Sequence, residues 1–151
     1  MRKALRILAL SAGLLPPLLL TSPAQANHEW PWNDIVTVEH NNGTKVSKPS
    51  LAGMKCKFGE SATVCFKPGG DVWYVRDEQK DYRSGIAIWE DYNANGTIYR
   101  QGICRNPHGY YTWARCNKNY HEEHLIGFVS GESDVWHVQE MNEPWLYTSA
   151  G

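Results

Sequence analysis

Past residue 20 this sequence has no long apolar run, no cluster of Lys and Arg, no C-x-x-C pair and no extended stretch that keeps a helical period. Each absence removes a class. Without a second apolar stretch, no further membrane anchor is expected. Without clustered cations, nucleic acid and anionic membrane are poor partners, because phosphate binding needs Lys and Arg together. The missing C-x-x-C argues against zinc. There is also no G-x-S-x-G, no Walker loop and no dinucleotide glycine loop, so no catalytic residue is nominated and no cofactor is expected.

What is present begins with an export signal. Arg2, Lys3 and Arg6 form a positive start, Ile7–Leu20 an apolar stretch, and Ala24 and Ala26 supply the small residues that a signal peptidase reads. Pro16-Pro17 interrupts the apolar stretch, which is also too short for a comfortable membrane span. Residues 1–26 are therefore read as a signal peptide, and the protein as secreted after cleavage following Ala26. The remaining part carries 12 basic and 16 acidic residues, a formal charge of −4. It divides into an N-terminal arm with a first strand (27–54) and a main β domain (55–151), together one globular unit.

In an exported chain the four cysteines, Cys56, Cys65, Cys104 and Cys116, read as two disulfides. The pairing Cys56–Cys65 with Cys104–Cys116 is favoured, because each bridge then closes a short loop containing turn residues. Short runs rich in β-branched and aromatic residues recur between Gly, Asn, Pro and Asp turns. They are 35–38, 62–66, 72–75, 85–89, 97–100, 110–115, 125–129 and 135–138. Asn41–Thr44 reads as a hairpin turn, and 117–124 as a short helical turn. The expected fold is all-β: a compact disulfide-stabilised sandwich or small barrel.

Three clusters of residues invite chemistry. Asp91-x-Asn93-x-Asn95-Gly96 has the alternating oxygens and glycine of half an EF-hand loop, making Asp91, Asn93 and Asn95 a weak calcium candidate. Position twelve is Gly102, where that loop needs Glu, and an Asx-stabilised turn accounts for the same residues. His121-Glu122-Glu123-His124 offers two histidines on one helical face but no third ligand. Eighteen aromatic residues follow Ala26. Trp73, Trp89, Trp113 and Trp136 fall inside expected strands and are assigned to the core. Trp30, Trp32, Tyr92, Tyr110, Tyr111 and Trp145 lie near loops and ends and are the candidate binding surface.

The block from Cys65-Phe66-x-Pro68-x-Gly70-Asp71-x-Trp73 through Trp89-x-Asp91-Tyr92 and Gly102-x-Cys104-Arg105-Asn106 to Cys116-Asn117-Lys118 resembles small secreted proteins of Streptomyces and related actinobacteria. That resemblance implies export and a β domain, and no mechanism. Size, signal and early cysteine pair give a looser likeness to the secreted crystallin-like proteinase inhibitors, although the crystallin-type calcium motif is missing. The functional expectation is a secreted, non-enzymatic module that binds an extracellular protein or glycan, with proteinase inhibition and carbohydrate binding or cleavage as alternatives. Cleavage after Ala26 predicts an exported product beginning Asn27-His28-Glu29. Mass spectrometry of the secreted protein's N-terminus checks it, and a product that retains the leader or starts elsewhere refutes it.

Overall fold

The computed structural model describes residues 37–151; the signal peptide, Trp30, Trp32, Ile35 and Val36 lie outside them. Ten strands form two five-stranded sheets. They are β1 (Val38–Asn42), β2 (Thr44–Val46), β3 (Lys55–Phe58), β4 (Ala62–Lys67), β5 (Val72–Asp77), β6 (Ser84–Tyr92), β7 (Ile98–Arg105), β8 (Trp113–Asn117), β9 (Leu125–Asp134) and β10 (His137–Ser149). The first sheet runs β1-β7-β6-β9-β10 and the second β2-β8-β5-β4-β3. Among the described residues only the β1–β7 pairing is parallel. Two separate sheets make this a sandwich rather than a barrel.

The core follows from period-two alternation. Ala62, Val64 and Phe66 of β4 and Trp73 and Val75 of β5 meet Ala87 and Trp89 of β6 and Ile126 and Phe128 of β9. Trp73 sits 4.5 Å from the Phe66 ring and 5.1 Å from Phe128, in tilted and edge-on contacts that favour the ring quadrupoles. Its indole Nε1 donates to the Tyr120 hydroxyl at 2.9 Å, so the one polar atom of this buried side chain is satisfied.

Several local expectations change. Asn42-Gly43 is not a hairpin turn but the point where the chain leaves one sheet for the other. A Cβ on Gly43 would stand 2.8 Å from the Ala114 Cβ, so a larger residue would push the crossing off β8. Val135 and Trp136 are not strand: they make the tight β9–β10 turn, with Val135 at φ +53°. Trp136 is half-buried, 4.8 Å from the His40 ring, instead of lying in the core. Tyr110 and Tyr111 precede β8 rather than belonging to it, and within 117–124 there is no helix but a single hydrogen-bonded turn at Glu122–Glu123, closed by the His124 amide on the His121 carbonyl at 2.9 Å.

Both disulfides pair as favoured. Cys56–Cys65 joins register-matched positions of β3 and β4. Cys104–Cys116 joins β7 to β8 and so ties one sheet to the other. Their separations of 9 and 12 residues give nearly equal entropic contributions, about 2.5–3 kcal/mol each. The difference between them must come from the native state. The double variant Cys104→Ala/Cys116→Ala is expected to lose at least 1 kcal/mol more, on the order seen for disrupted cores, than Cys56→Ala/Cys65→Ala. Urea unfolding of both measures this, and equal losses would contradict it.

Candidate binding groove

β5 leaves the sandwich at Asp77, and the alternation that points Trp73 and Val75 inward points Asp77 inward as well. The chain then runs through 78–83 to β6. Opposite, β7 ends at Arg105 and residues 106–112 lead to β8. Between these two connections lies a groove of about 370 Å³, walled by Asp77, Lys80, Asp81, Tyr82, Arg105 and Tyr110 among others. A Cβ on Gly85 would stand 3.0 Å from the Asp77 Cα, so the two sheets approach closely at this end.

The loop carrying the tyrosines is held firmly. Asn106 is fully buried, and its side-chain amide donates to the carbonyls of Val75 (3.1 Å) and Thr112 (2.6 Å). Its Oδ1 accepts from the His108 amide at 3.1 Å. The Tyr111 amide donates to the Asp77 carbonyl at 2.8 Å, fastening the loop to β5. A single buried asparagine thus supplies much of the loop's rigidity.

Tyr82 and Tyr111 both occupy the left-handed region, at φ +66° and +60°. A bulky side chain there costs free energy relative to glycine. Tyr82 is fully exposed, so no core packing offsets that cost in its case. Tyr110 and Tyr111 are also largely exposed, their rings 4.7 Å apart, and the Arg76 guanidinium lies 4.8 Å over the Tyr111 ring. On the far side of Tyr111 a shallower, more basic depression of about 450 Å³ includes Lys45, Lys48, Arg76 and Trp113. The tyrosine turn is thus a ridge between two concavities.

Electrostatically the groove centres on Asp77, which is 2 % exposed. Its Oδ1 accepts the Gln79 amide at 3.1 Å, while Oδ2 is buried without a partner among the described residues. Burial pushes its pKa up to about 6; the Gln79 bond works against this, and the nearby charges of Asp81, Glu132 and Glu78 add to it. Glu132 is also raised by burial, although its ion pair with Arg83 opposes the rise.

The residues nominated from sequence separate. Tyr110 lines the groove and Tyr111 the neighbouring basic depression. Tyr92 lies at the other end of β6, roughly 26 Å away at about 3.3 Å per residue. It is half-buried, bonded to Glu90 and 6.3 Å from the Tyr147 ring. Trp145 is half-buried in β10, and Trp30 and Trp32 are outside the described residues.

The three calcium candidates do not converge. Asp91 is fully buried, with Oδ1 2.6 Å from His124 Nδ1. Asn93 and Asn95 instead organise the β6–β7 turn through Thr97, whose amide donates to Asn95 Oδ1 at 3.0 Å. No group of three or more His, Cys, Asp or Glu among the described residues has metal-holding geometry. His121 and His124 do lie together, ring centroids 4.8 Å apart. Asp77, Tyr82 and Arg105 escaped nomination. Asp77 was detectable as the inward member of Trp73-x-Val75-x-Asp77, whereas Tyr82 stands in a polar stretch with no pattern around it.

The Asp77 environment has a stability consequence. The folded state holds this proton more tightly than the unfolded chain, so the group's contribution falls as pH rises from about 4 to about 6 and stays low above that. Asp77→Asn is expected to raise stability at pH 7 by about 2 kcal/mol and to flatten the pH 4–6 slope. Burial raises Glu90, Asp91 and Glu132 in the same direction, so part of the slope persists. Melting curves of the variant that parallel wild type across this range would contradict the assignment. No protein-family model matches this chain, and no curated protein or solved structure matches it either.

Proposed function

We propose that this chain is an exported, non-catalytic binding module that recognises an extracellular ligand through the groove between 78–83 and 106–112. Export rests on the leader at residues 1–26 and is consistent with two disulfides. The observation that carries the binding reading is that one groove is lined by a buried carboxylate, one oxygen of which is unpaired among the described residues, and by an exposed tyrosine, Tyr82, held at positive φ. Unpaired buried polar atoms and costly backbone conformations persist where function requires them.

A second reading, acid catalysis at the same groove, draws on Asp77 alone. A carboxyl raised to about 6 in a groove has the protonation behaviour of a glycosidase acid. Release of reducing ends by wild type, abolished in Asp77→Asn, would establish it in place of the binding module.

The binding reading is tested by amide chemical-shift mapping of the purified domain against a mixed set of neutral oligosaccharides, Lys- and Arg-containing tripeptides and acidic tripeptides. Saturable shifts confined to 77–85 and 105–112 are expected for at least one probe. Shifts that map to the Tyr92 end, or no saturable binding at all, overturn it.

A further inference from the structure

We infer that the groove ligand is a neutral, hydroxyl-rich glycan, gripped through an unpaired acceptor and an unpaired donor on the groove wall. This deepens the binding reading above and rests on it. The acceptor is Asp77 Oδ2 and the donor is Arg105 Nε; both are buried and neither has a partner among the described residues. The rest of the Arg105 guanidinium is engaged elsewhere. One terminal nitrogen donates to Asn42 Oδ1 at 3.2 Å, and the group lies 5.8 Å over the Trp136 ring. Both residues line the same groove.

The groove wall carries both signs of charge. Asp77 and Asp81 share it with Lys80 and Arg105, while Arg83 is already paired with Glu132. An ion of either sign would meet attraction and repulsion on the same wall, so neither gains clearly over a neutral ligand. A hydroxyl both donates and accepts, so sugar hydroxyls can supply a donor to Asp77 and an acceptor to Arg105. Tyr82 and Tyr110 offer exposed ring faces on which the apolar face of a sugar can lie. The groove, about 370 Å³, stands at the small end of ligand pockets, a size suited to about one or two sugar rings.

The mapping experiment separates this inference from the reading beneath it when its probes are taken one class at a time. The oligosaccharide probes are cello-, xylo- and malto-oligomers and N-acetylglucosamine oligomers. At least one is expected to bind saturably, while the charged tripeptides bind at least tenfold more weakly. Saturable groove binding of tripeptides without any oligosaccharide overturns the glycan inference and leaves the binding module standing. Silence from every probe overturns both.

Variants then address the residues. Tyr82→Gly relieves the positive φ, so its melting temperature should equal or exceed wild type while sugar binding weakens at least fivefold. Asp77→Asn should weaken binding about tenfold, and Tyr99→Ala, near His121 and away from the groove, should leave it unchanged. Oligosaccharide binding that is indifferent to both Tyr82→Gly and Asp77→Asn would place the sugar elsewhere and refute the inference.

Discussion

The Cys104–Cys116 bridge is the constraint on which the rest of this molecule depends. Its two cysteines stand in opposite sheets, so it closes the sandwich covalently. It also delimits the loop that makes the groove. Arg105, Asn106, Pro107, Tyr110 and Tyr111 all fall between its ends, and Asn106 fills the space inside with bonds to Val75, Thr112 and His108. The loop must leave one sheet and enter the other within a few residues, which exposes the tyrosines at the edge of both. One bridge therefore serves stability and presentation through the same short stretch of chain.

On the other side of the bridge, charge does what apolar side chains cannot. Lys118 is almost wholly buried, its Nζ 4.6 Å over the Trp89 ring and 2.7 Å from Glu39 Oε2. Burial pulls its pKa down, opposed by the Glu39 carboxylate. Burial pushes Glu39 up, but hydrogen bonds and charge from Arg100 and Lys118 outweigh it and leave Glu39 below its ordinary value. The trio seals the edge of the Trp89–Tyr120 contact, where β1 and the 118–120 segment come together. Asp71 fastens that segment from the second sheet, its carboxylate accepting the Tyr120 amide at 2.9 Å and its carbonyl the Lys118 amide at 2.9 Å. Buried pairs of this kind add little net stability against an apolar alternative, but removing one member leaves the others stranded. Their value here is positional: they hold the tryptophan layer in register with the bridge.

How much of this was legible in the sequence depends on whether the information was local. Strands β4 and β5 were plain, because alternation and Pro68-Gly69-Gly70 are both contained within a few residues. The two disulfides followed from the same locality, each closing a short loop. Asn42-Gly43 misled because the turn chemistry it shares with hairpins also suits a sheet crossing, and only the distant Ala114 decides between them. Trp136 misled because its partners, His40 and Arg105, lie far away in sequence. At the groove the tyrosine pair was visible by composition, and Asp77 by its parity with Trp73 and Val75. Tyr82 and Arg105 were not, since each takes its role from the meeting of two connections that no local pattern announces.

The groove is a better candidate site than the Asp91–His124 end. Two buried aspartates have an oxygen unpaired among the described residues: Asp91 near the end of β6, and Asp77 at the end of β5 beside the start of β6. At the far end Asp91 is already committed to His124, and His121, His124 and Tyr99 pack on one another in a closed set of ring contacts. These contacts account for the residues structurally. At the near end the Asp77 carboxylate has only a backbone amide among the described residues, its neighbours are acidic, and exposed Tyr82 on the same groove wall is held at positive φ. Packing cannot account for that arrangement, because an exposed Tyr82 contributes nothing to the core. Tyr82 at positive φ and a carboxylate with an oxygen unpaired among the described residues line one groove, and on that coincidence the proposed binding site rests.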